Sequence, residues 1–131
     1  MYIPPGFTTI TPYFFVDDAE RFVDFLTSAF GGVEELRSLR ADGRIANTQV
    51  RVGTATVMIS EATARYPGMA FSFYLYVEDA DAAMARAIAA GATHEMDVAD
   101  MPYGDRQGGV RDPRGNIWWI SQRLVQEPYS A

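Results

Sequence analysis

The sequence has no cysteine, which removes disulfides, thiolate metal sites and cysteine nucleophiles together. It has one histidine, His94. A hydrolase built on this chain would need serine or threonine activated by a carboxylate, and the sequence suggests no such pairing. No apolar run approaches the roughly 20 residues of a membrane helix. The opening Met1-Tyr-Ile-Pro-Pro-Gly6 lacks the basic region and apolar core of a signal peptide, so a cytoplasmic protein is expected. Basic residues are the minority: 11 Lys and Arg stand against 17 Asp and Glu, a net charge of −6. An acidic surface repels phosphate backbones, which argues against nucleic acid as a partner.

What is present fits a single folded domain over residues 1–131, with 48% hydrophobic and 21% charged residues. Eight Phe, seven Tyr and two Trp make 13% of the chain. Most belong to a core, but tyrosine and tryptophan carry polar tips that require partners.

One unit occurs twice. Tyr13-Phe-Phe-Val-Asp-Asp-Ala-Glu20 aligns with Tyr74-Leu-Tyr-Val-Glu-Asp-Ala-Asp81, 61 residues on, and the same spacing sets Ile59-Ser60 on Ile120-Ser121. Phe30-Gly31 answers Ala90-Gly91, and Arg44 answers Arg106, within one residue of that spacing. Residues 9–16 have strand composition. Asp17 and Asp18 read as helix caps, with Glu20 in a capping-box spacing. Phe22, Phe25, Leu26, Ala29 and Phe30 then form one apolar helix face, stopped by Gly31-Gly32. Strands are expected at 34–39, 45–52 and 54–60, with turns at Asp42-Gly43 and Gly53-Thr54. The second copy predicts a strand at 71–77, a helix at 81–90 capped by Asp79, and strands at 94–98, 108–110 and 116–122. His94 falls just after that helix and reads as a surface residue. A linker, 62–70, carries Pro67-Gly68.

This duplicated βαβββ unit, ending in Asp112-Pro-Arg-Gly-Asn-Ile-Trp118, resembles the vicinal oxygen chelate superfamily and, within it, the glyoxalase/bleomycin-resistance proteins. The preceding Tyr103-Gly-Asp-Arg-Gln-Gly-Gly-Val-Arg111 resembles the PhnB-like members. The likeness implies an α+β fold of two tandem βαβββ units, about 7–61 and 70–123, forming U-shaped sheets around a cavity in a homodimer. It leaves function open, because the superfamily holds isomerases, dioxygenases, thiol transferases and drug-binding proteins that are not enzymes. The four positions where its metal-dependent members place ligands fall here on Thr11, Met58, Ser72 and Trp119. The third-strand histidine of PhnB-like relatives falls on Asn47. Neutral hydroxyls are poor ligands for Zn²⁺, Ni²⁺ or Fe²⁺, and tryptophan cannot ligate at all. No metal and no cofactor are therefore expected, and enzymatic activity is disfavoured.

If Thr11 and Ser72 face the cavity, strand alternation brings Tyr13, Phe15, Tyr74 and Tyr76 to the same side. Asn47, Gln49 and Arg51 alternate with Thr48, Val50 and Val52, offering the cavity a polar edge. Met58 and Trp119 add a conforming thioether and a stacking surface. Tyr103 and Arg106 complete the candidate site, with Arg106 at its mouth. Plainer readings stand beside these: Tyr13 and Tyr74 as packing residues, Trp118 as core or dimer interface, and Asp105–Arg106 as a structural ion pair. Such a pocket suits a planar aromatic ligand, and the acidic surface favours a cationic, DNA-directed one. The resemblance then implies a binding protein that sequesters an aromatic antibiotic of the bleomycin-like or intercalating peptide kind. The alternative is a metal-dependent lyase, isomerase or dioxygenase with ligands drawn from other residues; an acid/base isomerase using Glu61 with Tyr103 is conceivable besides, but Glu61 lies at the linker edge.

Overall fold

The five-element unit read twice in the sequence is built twice. A computed structural model describes residues 2–130, and the chain divides into two compact units at Met69/Ala70. The first comprises β1 (Tyr13–Val16), α1 (Ala19–Phe30), β2 (Val33–Leu39), β3 (Ile45–Val52) and β4 (Ala55–Glu61). The second comprises β5 (Ser72–Tyr76), α2 (Ala80–Ala89), β6 (Thr93–Asp100), β7 (Asp105–Arg111) and β8 (Ile117–Arg123). Each unit is a four-stranded mixed sheet, in the orders β1-β4-β3-β2 and β5-β8-β7-β6. β1 runs parallel to β4 and β5 parallel to β8, and the other pairs are antiparallel. The fold is the expected α+β pair of βαβββ units. Among the described residues no helix is long and apolar enough to cross a membrane.

In the first unit α1 buries Phe22, Val23, Phe25 and Leu26. On the sheet below lie Phe14, Val16, Val50, Val57 and Ile59, all buried. The rings of Phe14 and Phe22 are 4.9 Å apart. Each such side chain contributes about 1.5–3 kcal/mol by leaving water. Gly31 ends the helix in the left-handed region (φ 69), and the amides of Gly31 and Gly32 return to the carbonyls of Thr27 and Leu26, as the Gly-Gly stop predicted.

The helix start differs from expectation. Asp18 takes a left-handed conformation (φ 57) and makes no side-chain cap. Glu61, at the end of β4, accepts the backbone N–H groups of Asp18 and Ala19, each at 2.9 Å. In the second unit Asp79 does cap α2, accepting from the Ala82 amide, and Gln122 accepts from Ala80 at 3.0 Å. Glu61 and Gln122 are repeat mates, so both helices are held from the last strand of their unit.

The second helix is built of small residues and buries only Ala80, Met84 and Ala87. It fits closely over β7, where a side chain at Gly108 would stand 3.0 Å from the Met84 sulfur. Trp118 is core, 4.7 Å from the Phe73 ring, with its indole N–H on the Asp112 carboxylate at 2.7 Å. That carboxylate also accepts the amides of Arg114 and Asn116, closing the Asp112–Gly115 turn.

Two strands start three or more residues from where the sequence predicts. The first strand, expected from residue 9, begins at Tyr13 after Pro12, which has no N–H to give a ladder. Strand β7 begins at Asp105, three residues before the expected 108. Its polar Asp105-Arg-Gln107 start is ordinary paired strand, opposite Arg123, Gln122 and Ser121.

Candidate functional site

In the second unit, β5 pairs Ser72, Tyr74 and Tyr76 with Ile117, Trp119 and Ser121 of β8. β8 in turn sets Trp119 opposite Gly109, Ser121 opposite Gln107 and Arg123 opposite Asp105. These residues share one sheet face, since alternate residues point the same way and directly opposed residues share a side. The Trp119 indole lies across Gly109, its ring 2.9 Å from where a Cβ would be. Its N–H donates to Ser72 Oγ at 2.9 Å.

The polar centre of this face is Asp105, which is fully buried. Its Oδ2 accepts the hydroxyls of Tyr74 and Tyr129, each at 2.7 Å. Its Oδ1 accepts Arg123 Nη1 at 3.0 Å. Burial, the largest influence, opposes ionisation; hydrogen bonds from Tyr129, Tyr74 and Arg123 together outweigh it and hold the carboxyl below its ordinary value. Burial and the bond to Asp105 push the Tyr74 hydroxyl up to about 12. Tyr103 donates to Gln107 Oε1, and Gln107 donates to Ser121 at 2.8 Å. Tyr74, Tyr76, Tyr103 and Tyr129 line an open depression of about 350 Å³.

The first unit carries a counterpart face. Tyr13 and Phe15 on β1 lie opposite Met58 and Ser60 on β4, and Gln49 on β3 is opposite Met58. Asn47 donates to the Tyr13 hydroxyl at 3.3 Å, and that hydroxyl is 2.6 Å from Ser60 Oγ. Tyr13, Phe15 and Tyr66 stack in succession, with centroids 5.0 and 5.4 Å apart. The Arg65 guanidinium lies 5.5 Å from the Tyr66 ring centroid, at the end of that stack.

The structure thus groups Tyr13, Phe15, Asn47, Gln49 and Met58 on one face, and Ser72, Tyr74, Tyr76 and Trp119 on another, with Tyr103 beside the second. Two residues fall elsewhere. Thr11 precedes β1 and belongs to no strand. Arg106, expected at the pocket mouth, lies on the opposite side of β7 from Asp105. It donates to Asp81 of α2 at 2.8 Å and to Asp100 at 2.9 Å, because neighbouring strand residues point to opposite faces. The same geometry rules out an Asp105–Arg106 pair. Glu61 is engaged in capping α1, and His94 is exposed and bonded to Asp97. Sequence reasoning missed Asp105, Arg123, Tyr66 and Tyr129. Strand alternation counted back from Gly109 reaches Asp105, but nothing in the sequence marks Tyr129.

The four positions at which the fold family holds a metal do not suit one here. Ser72 Oγ already accepts the Trp119 N–H, Trp119 is flattened on Gly109, Met58 offers only a thioether, and Thr11 is off the strand. No carboxylate or imidazole stands at any of them. Among the described residues no group of three or more His, Asp or Glu is placed to hold an ion.

Comparison with known proteins agrees with this architecture. An uncharacterized protein of Mycobacterium bovis, Mb0911c, is 33% identical over 124 residues, covering 86% of this chain and 82% of its own. The crystal structure of TioX from Micromonospora sp. ML1 superposes with a TM-score of 0.75 at 28% identity, over 89% of this chain and 99% of that one. TnmS3, an antibiotic binding protein from Streptomyces sp. CB03234, has a TM-score of 0.71 over 94% of this chain and 98% of its own. At 23% identity that likeness is one of fold. The family model described as Glyoxalase/Bleomycin resistance protein/Dioxygenase superfamily matches residues 7–120. The chain belongs to the glyoxalase/bleomycin resistance protein/dioxygenase superfamily.

Proposed function

We propose that this protein binds and sequesters a flat aromatic natural product, such as a bleomycin-like or intercalating peptide antibiotic, and so gives resistance or self-protection without chemistry. It acts as a cytoplasmic homodimer in this reading. The observation that carries it is the bond from Trp119 to Ser72. Two positions that hold metal ligands elsewhere in the family are here tied to each other under an aromatic surface. The Trp119 indole, with Tyr74 opposite it on β5, supplies faces on which a planar ligand gains about 0.5–1.5 kcal/mol per ring pair beyond burial. The shared fold of TnmS3, an antibiotic binding protein, supports the same reading.

Tryptophan fluorescence during titration with planar heteroaromatic antibiotics tests the proposal, on metal-free protein and on Trp119→Ala. Saturable quenching that weakens in the variant is the expected result. No response to any compound, with stoichiometric metal in protein purified without a tag, would overturn it in favour of a metal-dependent lyase, isomerase or dioxygenase. Light scattering checks the homodimer, whose absence would remove that part alone.

A further inference from the structure

Tyr129 lies beyond the last strand, in a segment of no regular secondary structure, yet its hydroxyl makes two hydrogen bonds on the second unit's face. Its hydroxyl donates to Asp105 Oδ2 at 2.7 Å. With that proton committed, the Tyr76 hydroxyl, 2.8 Å away, donates to Tyr129. Its ring sits under the Arg123 guanidinium, 4.1 Å from the ring centroid. Arg123 also binds the Glu127 carbonyl at 2.6 Å, steadying the segment that carries the ring. The tyrosine remains half exposed.

We infer that Asp105, Tyr76 and Arg123 form a subsite for a hydroxylated aromatic ring, and that Tyr129 occupies it as an internal stand-in which the ligand's own phenol displaces. This rests on the proposed binding function and specifies the ligand class. The chemistry of the three groups sets that class. The buried carboxylate requires a donor, Tyr76 offers one in return, and the guanidinium requires a π-face. An aliphatic alcohol leaves Arg123 without a ring. An amine cation meets a carboxylate already paired with Arg123, so the overall acidity of the chain does not make this subsite select cations. When Tyr129 swings away, Tyr74 and Arg123 keep Asp105 ionised and in position. What opens is one acceptor site on Oδ2 and one face of Arg123, the outline of a phenol.

Calorimetry with 2-naphthol and 2-methoxynaphthalene, on the full chain, tests this. The two probes share a ring system, and only the first has a hydroxyl to donate. If Tyr129 fills the subsite nine-tenths of the time, Tyr129→Ala should bind 2-naphthol about tenfold tighter than wild type. The methoxy compound should gain little. Tyr129→Phe, which keeps the ring over which Arg123 lies, should gain less than the alanine variant. A circular dichroism melt confirms that both variants are folded. Equal or weaker binding of 2-naphthol by Tyr129→Ala, or no selectivity between the probes, overturns the inference and makes Tyr129 part of the wall. Antibiotic quenching of Trp119 without any naphthol gain sinks the subsite alone. A naphthol gain without antibiotic binding sinks only the sequestration reading.

Discussion

Tyr13 and Tyr74 stand 61 residues apart at matching points of the two units, yet their hydroxyls meet different chemistry. Tyr13 ends on Ser60 and Asn47, both neutral. Tyr74 ends on a fully buried carboxylate. The pairing registers say why. Gln49 lies opposite Met58, and Gly109 lies opposite Trp119, so four residues upstream on each strand stand Ile45 and Asp105. Both are buried; one is apolar and one is charged. The contrast continues along the face, where Phe15 answers Tyr76, Met58 answers Trp119 and Gln49 answers Gly109. A duplicated backbone thus presents one face of mainly neutral packing and another organised around a charge. Tyrosine in a matching place does not predict a matching role.

The sharpest way to test that difference is Asp105→Ala. It takes the carboxylate from two phenol donors and from Arg123, which keeps only the Tyr103 and Glu127 carbonyls, and loss of one partner of a buried ion pair costs about 3–5 kcal/mol. Urea unfolding should show it, with Asp105→Asn costing less because an amide oxygen still accepts. A surface-like loss below about 1 kcal/mol would erase the distinction between the two faces.

Next in size is the pair Tyr74→Phe and Tyr13→Phe. Hydrogen bonds to a charged acceptor contribute about 1.5–3 kcal/mol and neutral ones about 0.5–1.5, so the Tyr74 variant should be the less stable in the same experiment. Equal losses would mean that Asp105 gives Tyr74 nothing beyond what Ser60 gives Tyr13.

A smaller asymmetry is expected at the helix starts. Glu61→Ala removes the acceptor of two α1 amides and should cost about 1 kcal/mol. Gln122→Ala should cost less, since Asp79 caps α2 independently. Chemical denaturation of both variants decides it.

The pH profile gives the finest comparison. The Asp105 carboxyl titrates lower folded than unfolded, so its contribution is present above the unfolded value near ~3.9 and is lost as pH falls below it. For Tyr74 the folded value is the higher, about 12 against 10.0. That contribution is complete below the unfolded value and disappears as pH rises between the two. Asp105→Asn should flatten the acid limb of stability against pH, and Tyr74→Phe the alkaline limb. An unchanged acid limb in Asp105→Asn would assign acid sensitivity elsewhere, with Glu34, held low by Arg37 and Thr48 against its burial, the next carboxylate to examine.

Much of this was legible beforehand. The spacing of 61 set out both units, helix periodicity marked the face of α1, and strand alternation put Tyr13, Phe15, Tyr74 and Tyr76 on one cavity side, whereas the ladders pair the first two with Met58 and Ser60 in one unit and the last two with Trp119 and Ser121 in the other. Strand ends were less legible. Pro12 cut the first strand short, and a polar opening concealed the start of β7, which turned Arg106 from pocket mouth to helix side. Asp18 looked like a cap because caps are usually local, whereas the acceptor came from Glu61, 43 residues away.

Local order is what this sequence determined alone: a strand, an amphipathic helix, three strands and their repetition, because apolar period and turn residues act over a few neighbours. The tertiary structure decided which polar groups share a buried centre. Asp105, Arg123, Tyr74 and Tyr129 come from three strands and a trailing segment, and no spacing announces their meeting. A buried charge is held by whatever donors the folded chain brings within 3 Å, and only packing selects them.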